Sequence, residues 1–549
     1  MALSGTTHFV MKNGGSDTAN SGAFDPGQTA GMFTDGAATL ATSTAPVFTS
    51  ASYNFVAGDV GARVFIGAGT NWRVGWYTIV SVAANAATLN ATHEQYSLYP
   101  VGISAFDGCA SVASPTGATW SIDYSLMPTR RIAFTDLASA GAGLTASSAG
   151  NPIGKQMVGN SILISAGTNF TAGLYVLASV AASVGTFLGA ANMTTGAGSG
   201  GTGGMGGAFA TLGQLGVYHV AGNLLLAQYN ATPFTSTNTT NNTALGRMTM
   251  VAGAAGGYTI LRGFDVAPGD QTANRPEFKW GVNGASNFLV TGTSRTSIQN
   301  LIFNGNRANF TNVGAFTHGG GQGIVYRVKI MGCSVATTFG SVVVREFEMT
   351  DCTQTIAMST GLQSFSSCYF HDNTVTPISW TTGTFSVTRS IFDTNGAAGI
   401  SVGGACVSSS ISGCTFYGNT GPGIALTSAP ISLSIENNIF EANTTYGITL
   451  AGTYGGVFLQ NNAYYNNPSG QVTAGTVPNY QNLGAITYTS TAFVDGPNAD
   501  FRLNSAAGRA LNSAGAPAAF PGLSWANYQG LGASRNKALS GGGGYFNPF

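Results

Sequence analysis

Charge is what this chain has least of. Asp, Glu, Lys and Arg make up 7% of its 549 residues, 20 acidic against 20 basic. An ordinary soluble protein carries roughly 25%. So few cations leave little for a basic face, and no nucleic-acid partner is expected. Cysteine is scarce too. The six (109, 333, 352, 368, 406 and 414) form no CxxC pair and no Cys/His metal spacing, which excludes a disulfide scaffold. Five scattered histidines predict no metal centre, and no cofactor is expected. No apolar run reaches 18 residues. The best stretch, 176–193, is broken by Ser, Gly, Thr and Asn, so no membrane insertion is expected. The opening Met1-Ala-Leu-Ser-Gly-Thr-Thr-His has neither a basic n-region nor an apolar h-region. It reads as leaderless.

What is abundant is Gly, 79 residues, within a chain that is 44% hydrophobic. That apolar share excludes a disordered chain. The Gly/Ser/Thr/Asn-rich, β-branched remainder is the composition of an extracellular all-β protein. Its first 207 residues read as a tandem duplication. Gly61-Ala-Arg-Val-Phe-Ile-Gly-Ala-Gly-Thr-Asn-Trp returns as Gly159-Asn-Ser-Ile-Leu-Ile-Ser-Ala-Gly-Thr-Asn-Phe, and Phe33-Thr-Asp returns as Phe134-Thr-Asp. The spacing predicts two small β-modules, 1–100 and 101–207, with the Gly-rich 195–207 as a flexible join. Trp72, Trp76, Tyr77, Phe170 and Tyr175 recur in the modules. They read as core, with stacking on sugar rings as the alternative.

A second repeat follows. An aromatic or aliphatic residue, two polar or small ones, then Asn or Cys recurs at Phe303, Ile330, Met349, Phe370, Phe392, Phe416, Phe440 and Tyr464, with steps of 19–27 residues. Such a period predicts stacked parallel coils about 4.8 Å apart, so that equivalent residues form columns. Counting from the aromatic as position zero, positions 0 and −2 should point inward and −1 and −3 outward. Position +3 holds Asn306, Asn373, Asn395, Asn419, Asn443 and Asn467, a predicted amide ladder. Cys333 and Cys352 take that position in two coils and read as stacked free thiols, with a disulfide as the alternative.

Residues 297–468 resemble the right-handed parallel β-helix family of pectate-lyase-like and phage tailspike-like proteins. Val217-Tyr-His-Val-Ala-Gly-Asn-Leu-Leu-Leu and Gly257-Tyr-Thr-Ile-Leu-Arg-Gly-Phe are similar to the first coils of such proteins. Asp500-Phe-Arg-Leu-Asn is similar to a last coil, and the duplicated unit resembles a phage-type module. The resemblance implies an all-β chain, with two tandem β-domains before a right-handed parallel β-helix over 208–515. A C-terminal cap and Gly-rich tail occupy 516–549. There Tyr545, Phe546 and Phe549 are candidate assembly contacts.

Chemistry rests on few side chains. Asp351 and Asp372 fall at position +2 of adjacent coils, and Asp393 and His371 share position +1. Stacked carboxylates would raise one pKa, as a general acid needs. The set loosely resembles the three-Asp site of polygalacturonase-type hydrolases, without that family's Asn-Thr-Asp, Asp-Asp and Gly-His-Gly segments. Asp is also an ordinary turn residue. Arg327 with Glu346, and Lys329 with Glu348, read as outward ion pairs between coils. The favoured function is a structural protein of a bacteriophage particle, a tailspike, fibre or decoration component at the virion surface. Its partners would be other virion proteins, copies of itself (a trimer by resemblance) and a host-surface glycan. The alternative is a carbohydrate-active β-helix enzyme, a polysaccharide hydrolase or depolymerising tailspike using Asp351, Asp372, Asp393 and His371. A third reading is a leaderless bacterial adhesin, secreted or at the cell surface.

Overall fold

The structure is a computed structural model. It describes residues 6–39, 45–94, 114–237, 247–253, 257–266, 274–284, 286–291, 295–318, 321–335, 337–358, 361–428, 432–450, 456–474 and 480–507. Cys109, Tyr545, Phe546, Phe549 and the whole expected cap lie outside the described residues. The chain forms two compact units, Met1–Glu277 and Phe278–Phe549.

In the first unit, both copies of the duplicated sequence fold with one strand order. The first is a closed antiparallel barrel: Phe33–Thr39, Val47–Thr49, Ala86–Glu94, Gly75–Ala83, Arg63–Thr70 and Thr116–Asp123. The second runs Ile132–Ser139, Thr145–Ala146, Val184–Leu188, Gly173–Ala181, Ser161–Phe170 and Thr194–Met205. Its first two strands meet at the Ala138–Ser147 bridge. Repeated turn chemistry explains the shared path. Ala84 and Asn85 have φ of 49° and 64°, and Ala182 and Ser183 have 46° and 62°, the two left-handed centres of a tight hairpin turn. Asp35 accepts hydrogen bonds from Ser50 Oγ and the Ser52 N–H. Asp136 does the same for Ser148 Oγ and the Gly150 N–H. The repeated Phe-Thr-Asp is therefore a turn lock. Trp72, Trp76, Tyr77 and Tyr175 are buried, and Phe170 packs against them. They are core, not a sugar platform.

Three expectations change in this unit. Residues 195–207 are not a flexible join, since Thr194–Met205 is a twelve-residue strand paired on both sides. Its glycines make room for neighbours: a Cβ on Gly201 would lie 2.7 Å from the Phe170 ring, and one on Gly204 would lie 2.1 Å from the Ala19 carbonyl. The first barrel needs Thr116–Asp123 to close, so it extends past residue 100. Strand His8–Met11 belongs to neither module. It pairs in parallel with Leu224–Gln228, which pairs in turn with Thr259–Phe264. Both modules are thus inserted between the first two strands of a parallel stack.

The second unit is a parallel solenoid, and its register is the one the repeat predicts. Phe303, Ile330, Met349, Phe370, Phe392, Phe416, Phe440 and Tyr464 stand opposite one another in successive strands. Position −2, from Leu301 to Asn462, is buried throughout. Two further inward columns complete each coil. One is Val344, Phe365, Val387, Ile411, Ile435 and Leu459. The other is Ile356, Ile378, Ile400, Ile424 and Ile448. The rings of Phe370, Phe392, Phe416 and Phe440 stack at 4.9 Å and within 8° of parallel. Phe303 stands apart from that stack, because Ile330 and Met349 fill the next two rungs. It packs instead on Phe278 and Phe316.

The amide ladder forms from Asn373 to Asn467. Each Nδ2 donates to the next Oδ1 at 2.8–3.0 Å. The same Nδ2 donates to a backbone carbonyl, as from Asn419 to Phe392 at 3.1 Å. The Asn419 Oδ1 also accepts the backbone N–H of Asn395. Asn306 is outside the ladder. Cys333 and Cys352 follow it as free thiols, and its amide donates to the Trp280 carbonyl. Asn438 and Asn462 add a short second ladder at position −2.

Left-handed backbone marks two corners of the seven coils from Ile330 to Tyr464. Position +2 carries Gly332, Asp351, Asp372, Thr394, Gly418, Ala442 and Asn466, with φ between 49° and 62°. Position −3 carries Arg327, Glu346, Ser367, Arg389, Gly413, Asn437 and Asn461, with φ between 50° and 62°. Position −1 points out of the coil as expected, but from Tyr369 onward it is covered and does not face solvent. Tyr369, Ile391, Ile439 and Ala463 form a second, outer core with Tyr488, Ala492, Phe493, Phe501 and Leu503. Residues 488–503 fold back over the outside of the coils.

A break in the middle of the ladder should cost more than any surface change. Asn419→Ala leaves the buried Asn395 backbone N–H without its acceptor and removes one partner each from the Asn395 Nδ2, the Asn443 Oδ1 and the Phe392 carbonyl, and is expected to destabilise by about 2–4 kcal/mol. Ser364→Ala, on the outward face, should stay within about 0.5 kcal/mol. Denaturant titration of both variants checks the contrast.

Candidate functional site

The sequence-predicted residues Asp351, His371, Asp372 and Asp393 sit at one corner of three consecutive coils. Position +1 runs Thr350, His371, Asp393, Tyr417, Glu441 and Tyr465 in parallel register. Position −1 runs Lys329, Glu348, Tyr369 and Ile391 beside it. Both positions flank the inward Phe column, so their side chains leave the coil on one face.

His371 is the hub. Its Nδ1 lies 2.8 Å from an Asp372 oxygen, and its Nε2 lies 3.3 Å from Glu348 Oε1. Its ring stacks on Tyr369 at 4.1 Å. Burial disfavours the imidazolium, but the hydrogen bonds and charges of Asp372 and Glu348 outweigh it, so the His371 pKa is raised. Glu348 also holds Lys329 at 3.0 Å. Arg327 reaches Glu346 at 3.7 Å. Both expected inter-coil pairs therefore form, each worth under about 1 kcal/mol at this exposure.

The three Asp residues part company. Asp351 turns to Arg307, 2.5 Å away, and its side chain is 60% exposed. Asp372, also exposed, accepts from Thr394 Oγ1 at 2.9 Å besides bonding His371. The left-handed backbone shared by these two positions is ordinary turn chemistry for Asp. Asp393 is buried at 5% exposure. The Tyr369 hydroxyl donates to its Oδ2 at 3.0 Å, while its buried Oδ1 has no hydrogen-bond partner among the described residues. Burial raises the Asp393 pKa to about 6, against the opposing effects of the Tyr369 bond and the His371 charge. A neutral carboxyl suits an orphaned oxygen better than a carboxylate does.

Two members of this corner were not singled out as site residues from the sequence. Glu441 lies two rungs beyond Asp393 in the same column, where position counting alone would have placed it. Its Oε2 accepts from the Tyr488 hydroxyl at 3.0 Å and the Ala492 N–H at 3.1 Å, and burial raises its pKa. Tyr488 comes from outside the repeat, and no periodic signal points to it. Chemically, the corner favours the protonated forms of His371 and Asp393, the latter up to about pH 6. Among the described residues no group of His, Cys, Asp or Glu is arranged to hold a metal ion. No helix among them is long and apolar enough to cross a membrane.

Residues 336–482 match the family model described as a right handed beta helix region. This part of the chain is a right-handed β-helix. No curated protein matches the sequence. Among solved structures, the A-module of the mannuronan C-5 epimerase AlgE6 of Azotobacter vinelandii is 13% identical. The match covers 49% of this chain and 91% of that one, with a TM-score of 0.28. ORF18 of Geobacillus virus E2 is 11% identical over 49% of this chain and 54% of that one, with a TM-score of 0.30. The catalytic domain of a GH87 alpha-1,3-glucanase in complex with nigerose is 10% identical over 65% and 90%, with a TM-score of 0.25. Such distant likenesses carry no functional argument.

The raised Asp393 pKa fixes a pH dependence. Its folded value of about 6 exceeds an unfolded value near 3.9. The stability it contributes is therefore present below about pH 4 and lost as pH rises through about 6. Asp393→Asn should match the parent protein at pH 4 and exceed it at pH 8 by about 2 kcal/mol. Denaturant titrations at the two pH values check this. A difference that does not change with pH would show that Asp393 does not titrate in this range.

Proposed function

We propose that this chain is a structural protein of a bacteriophage particle, a rigid β-helical spike, fibre or decoration component at the virion surface. One observation carries the reading. One side of the acidic corner that a glycan-cleaving enzyme would open to its substrate is covered by the protein's own residues 488–503, which share an apolar cluster with Tyr369 and bond Glu441. Asp393, Glu441 and His371 then serve the fold. The amide column from Asn373 to Asn467 and the ring stack from Phe370 to Phe440 favour the same reading, since such ladders stiffen a β-helix. Other virion proteins, further copies of this chain and a host-surface glycan are the partners this role implies.

A second reading rests on a different feature. A carboxyl with a pKa of about 6 beside an exposed Asp372 and a proton-holding His371 is the kind of pairing that glycan hydrolases use. A carbohydrate-active β-helix enzyme would use Asp393 as the acid and Asp372 as its charged partner. Asp351, held by Arg307, has no part in that scheme.

Mass spectrometry of purified particles and of the cell-free secreted fraction separates the two. The structural reading expects the protein in particles at fixed copy number. Absence from particles with abundance in the secreted fraction would sink it. A glycan panel then tests the second reading. Depolymerisation by the parent protein, lost at least about 100-fold in Asp372→Asn, would put the enzyme in its place.

A further inference from the structure

Positions −4 and −6 flank the inward column that runs from Val344 to Leu459, and they form an outward face of their own. Through the rungs of Ser364, Ser386 and Ser410 both positions carry hydroxyls. The next two rungs break that pattern. Ser434 and Glu436 stand on one, and Phe458 and Gln460 on the other, in parallel register. Strands Leu433–Glu436 and Val457–Gln460 alternate strictly between buried and open positions, so all four side chains leave the coil. Phe458 is 51% exposed. Among the described residues it stacks on no other ring, unlike the inward column from Phe370 to Phe440. A single exposed apolar side chain is ordinary by itself. What singles out Phe458 is the polar pair beside it.

Both polar groups have bonding capacity to spare. Ser434 Oγ donates to Glu436 Oε1. That bond orients the carboxylate, and Oε2 has no partner among the described residues. The exposed Gln460 amide has none among them either. Rungs about 4.8 Å apart, and about 6.6 Å between alternate residues of a strand, set the size of the block. Ring, carboxylate and amide therefore lie within reach of one sugar residue.

We propose that Phe458, Glu436 and Gln460 form a binding subsite for a neutral glycan. The inference rests on the reading of this chain as a surface component of a particle, and it uses none of the residues of the His371 corner. The Phe458 ring takes the C–H face of a pyranose. Glu436 Oε2 accepts from one sugar hydroxyl, in a charge-assisted bond. The Gln460 amide both donates to and accepts from another. Charge selects the class of glycan. At positions −3, −4 and −6 the first cation met from Glu436 is Arg389, two rungs away beside Thr388. A uronate or sialate carboxylate would face Glu436 with no counter-ion between them. Towards Arg345 the rows at −4 and −6 carry only hydroxyls, which leaves an uncharged path for the rest of a linear chain.

Calorimetric titration of the full chain with gluco-, galacto- and manno-hexaoses, and with hexagalacturonate, tests the subsite. At least one neutral hexaose should bind, and hexagalacturonate should bind at least about tenfold more weakly. Phe458→Ala and Glu436→Gln should each lower the neutral affinity at least about tenfold, while Phe458→Trp keeps it. No binding of any neutral hexaose, tighter binding of the acidic one, or an unchanged affinity in Phe458→Ala overturns the proposal. So does self-association of the parent protein that Phe458→Ala abolishes, because the ring would then serve a contact between copies. Should Phe458→Ala fail to fold, Gln460→Ala is expected to lower the affinity, and an unchanged affinity overturns the proposal equally. None of these outcomes depends on finding the protein in particles, so failure of the subsite and failure of the structural reading are told apart.

Discussion

Parallel, in-register stacking is the constraint from which the rest of this solenoid follows. Each residue faces its own equivalent one rung away, so a side chain is stable only if it tolerates a copy of itself about 4.8 Å off. Asn meets the condition because one amide both donates and accepts. Asn395, Asn419 and Asn443 satisfy one another and the backbone in a single chain of bonds. Phe meets it by offset stacking, as the 4.9 Å ring spacing shows. Charges of one sign do not. Accordingly Arg327 stands above Glu346 and Lys329 above Glu348.

The same constraint decides what could be read from the sequence. Column membership is arithmetic on the repeat, so the Phe register, the Asn ladder and the inter-coil ion pairs were all legible. Position +2 was legible only in part. Its Asp residues looked like stacked carboxylates, yet the left-handed backbone they share with Gly332 and Gly418 makes them turn residues first. Gly-rich 195–207 misled for the opposite reason. Composition suggests flexibility, whereas those glycines serve close packing against Phe170 and the Ala19 backbone. The return of residues 488–503 over the outer face was not legible, because a segment that occurs once leaves no period to count.

That unrepeated segment also changes what the outer columns mean. An outward position in a solenoid normally faces water, where a carboxylate is cheap. Covering the face turns position +1 into a second interior, and its residues then obey interior rules. The sequence of that column fits the change. Asp393, Tyr417, Glu441 and Tyr465 alternate acid with phenol, so no two carboxyls occupy neighbouring rungs, and each has a tyrosine hydroxyl to accept from. A purely solvated face would need no such alternation.

Where a column departs from self-compatibility, something outside the repeat must supply the missing partner. At Asp351 it is Arg307, two coils away in sequence. At Glu441 it is Tyr488 and Ala492. At Asp393 the supply is incomplete: the Tyr369 hydroxyl serves one oxygen, and the other stays buried without a hydrogen bond among the described residues. An isolated acid in a stack of amides and rings is held there at the expense of its ionised form. The coils themselves gain nothing from it that Asn, the residue used in the adjacent ladder, would not give. The protonation of this one carboxyl is therefore the property that sets it apart from its neighbours.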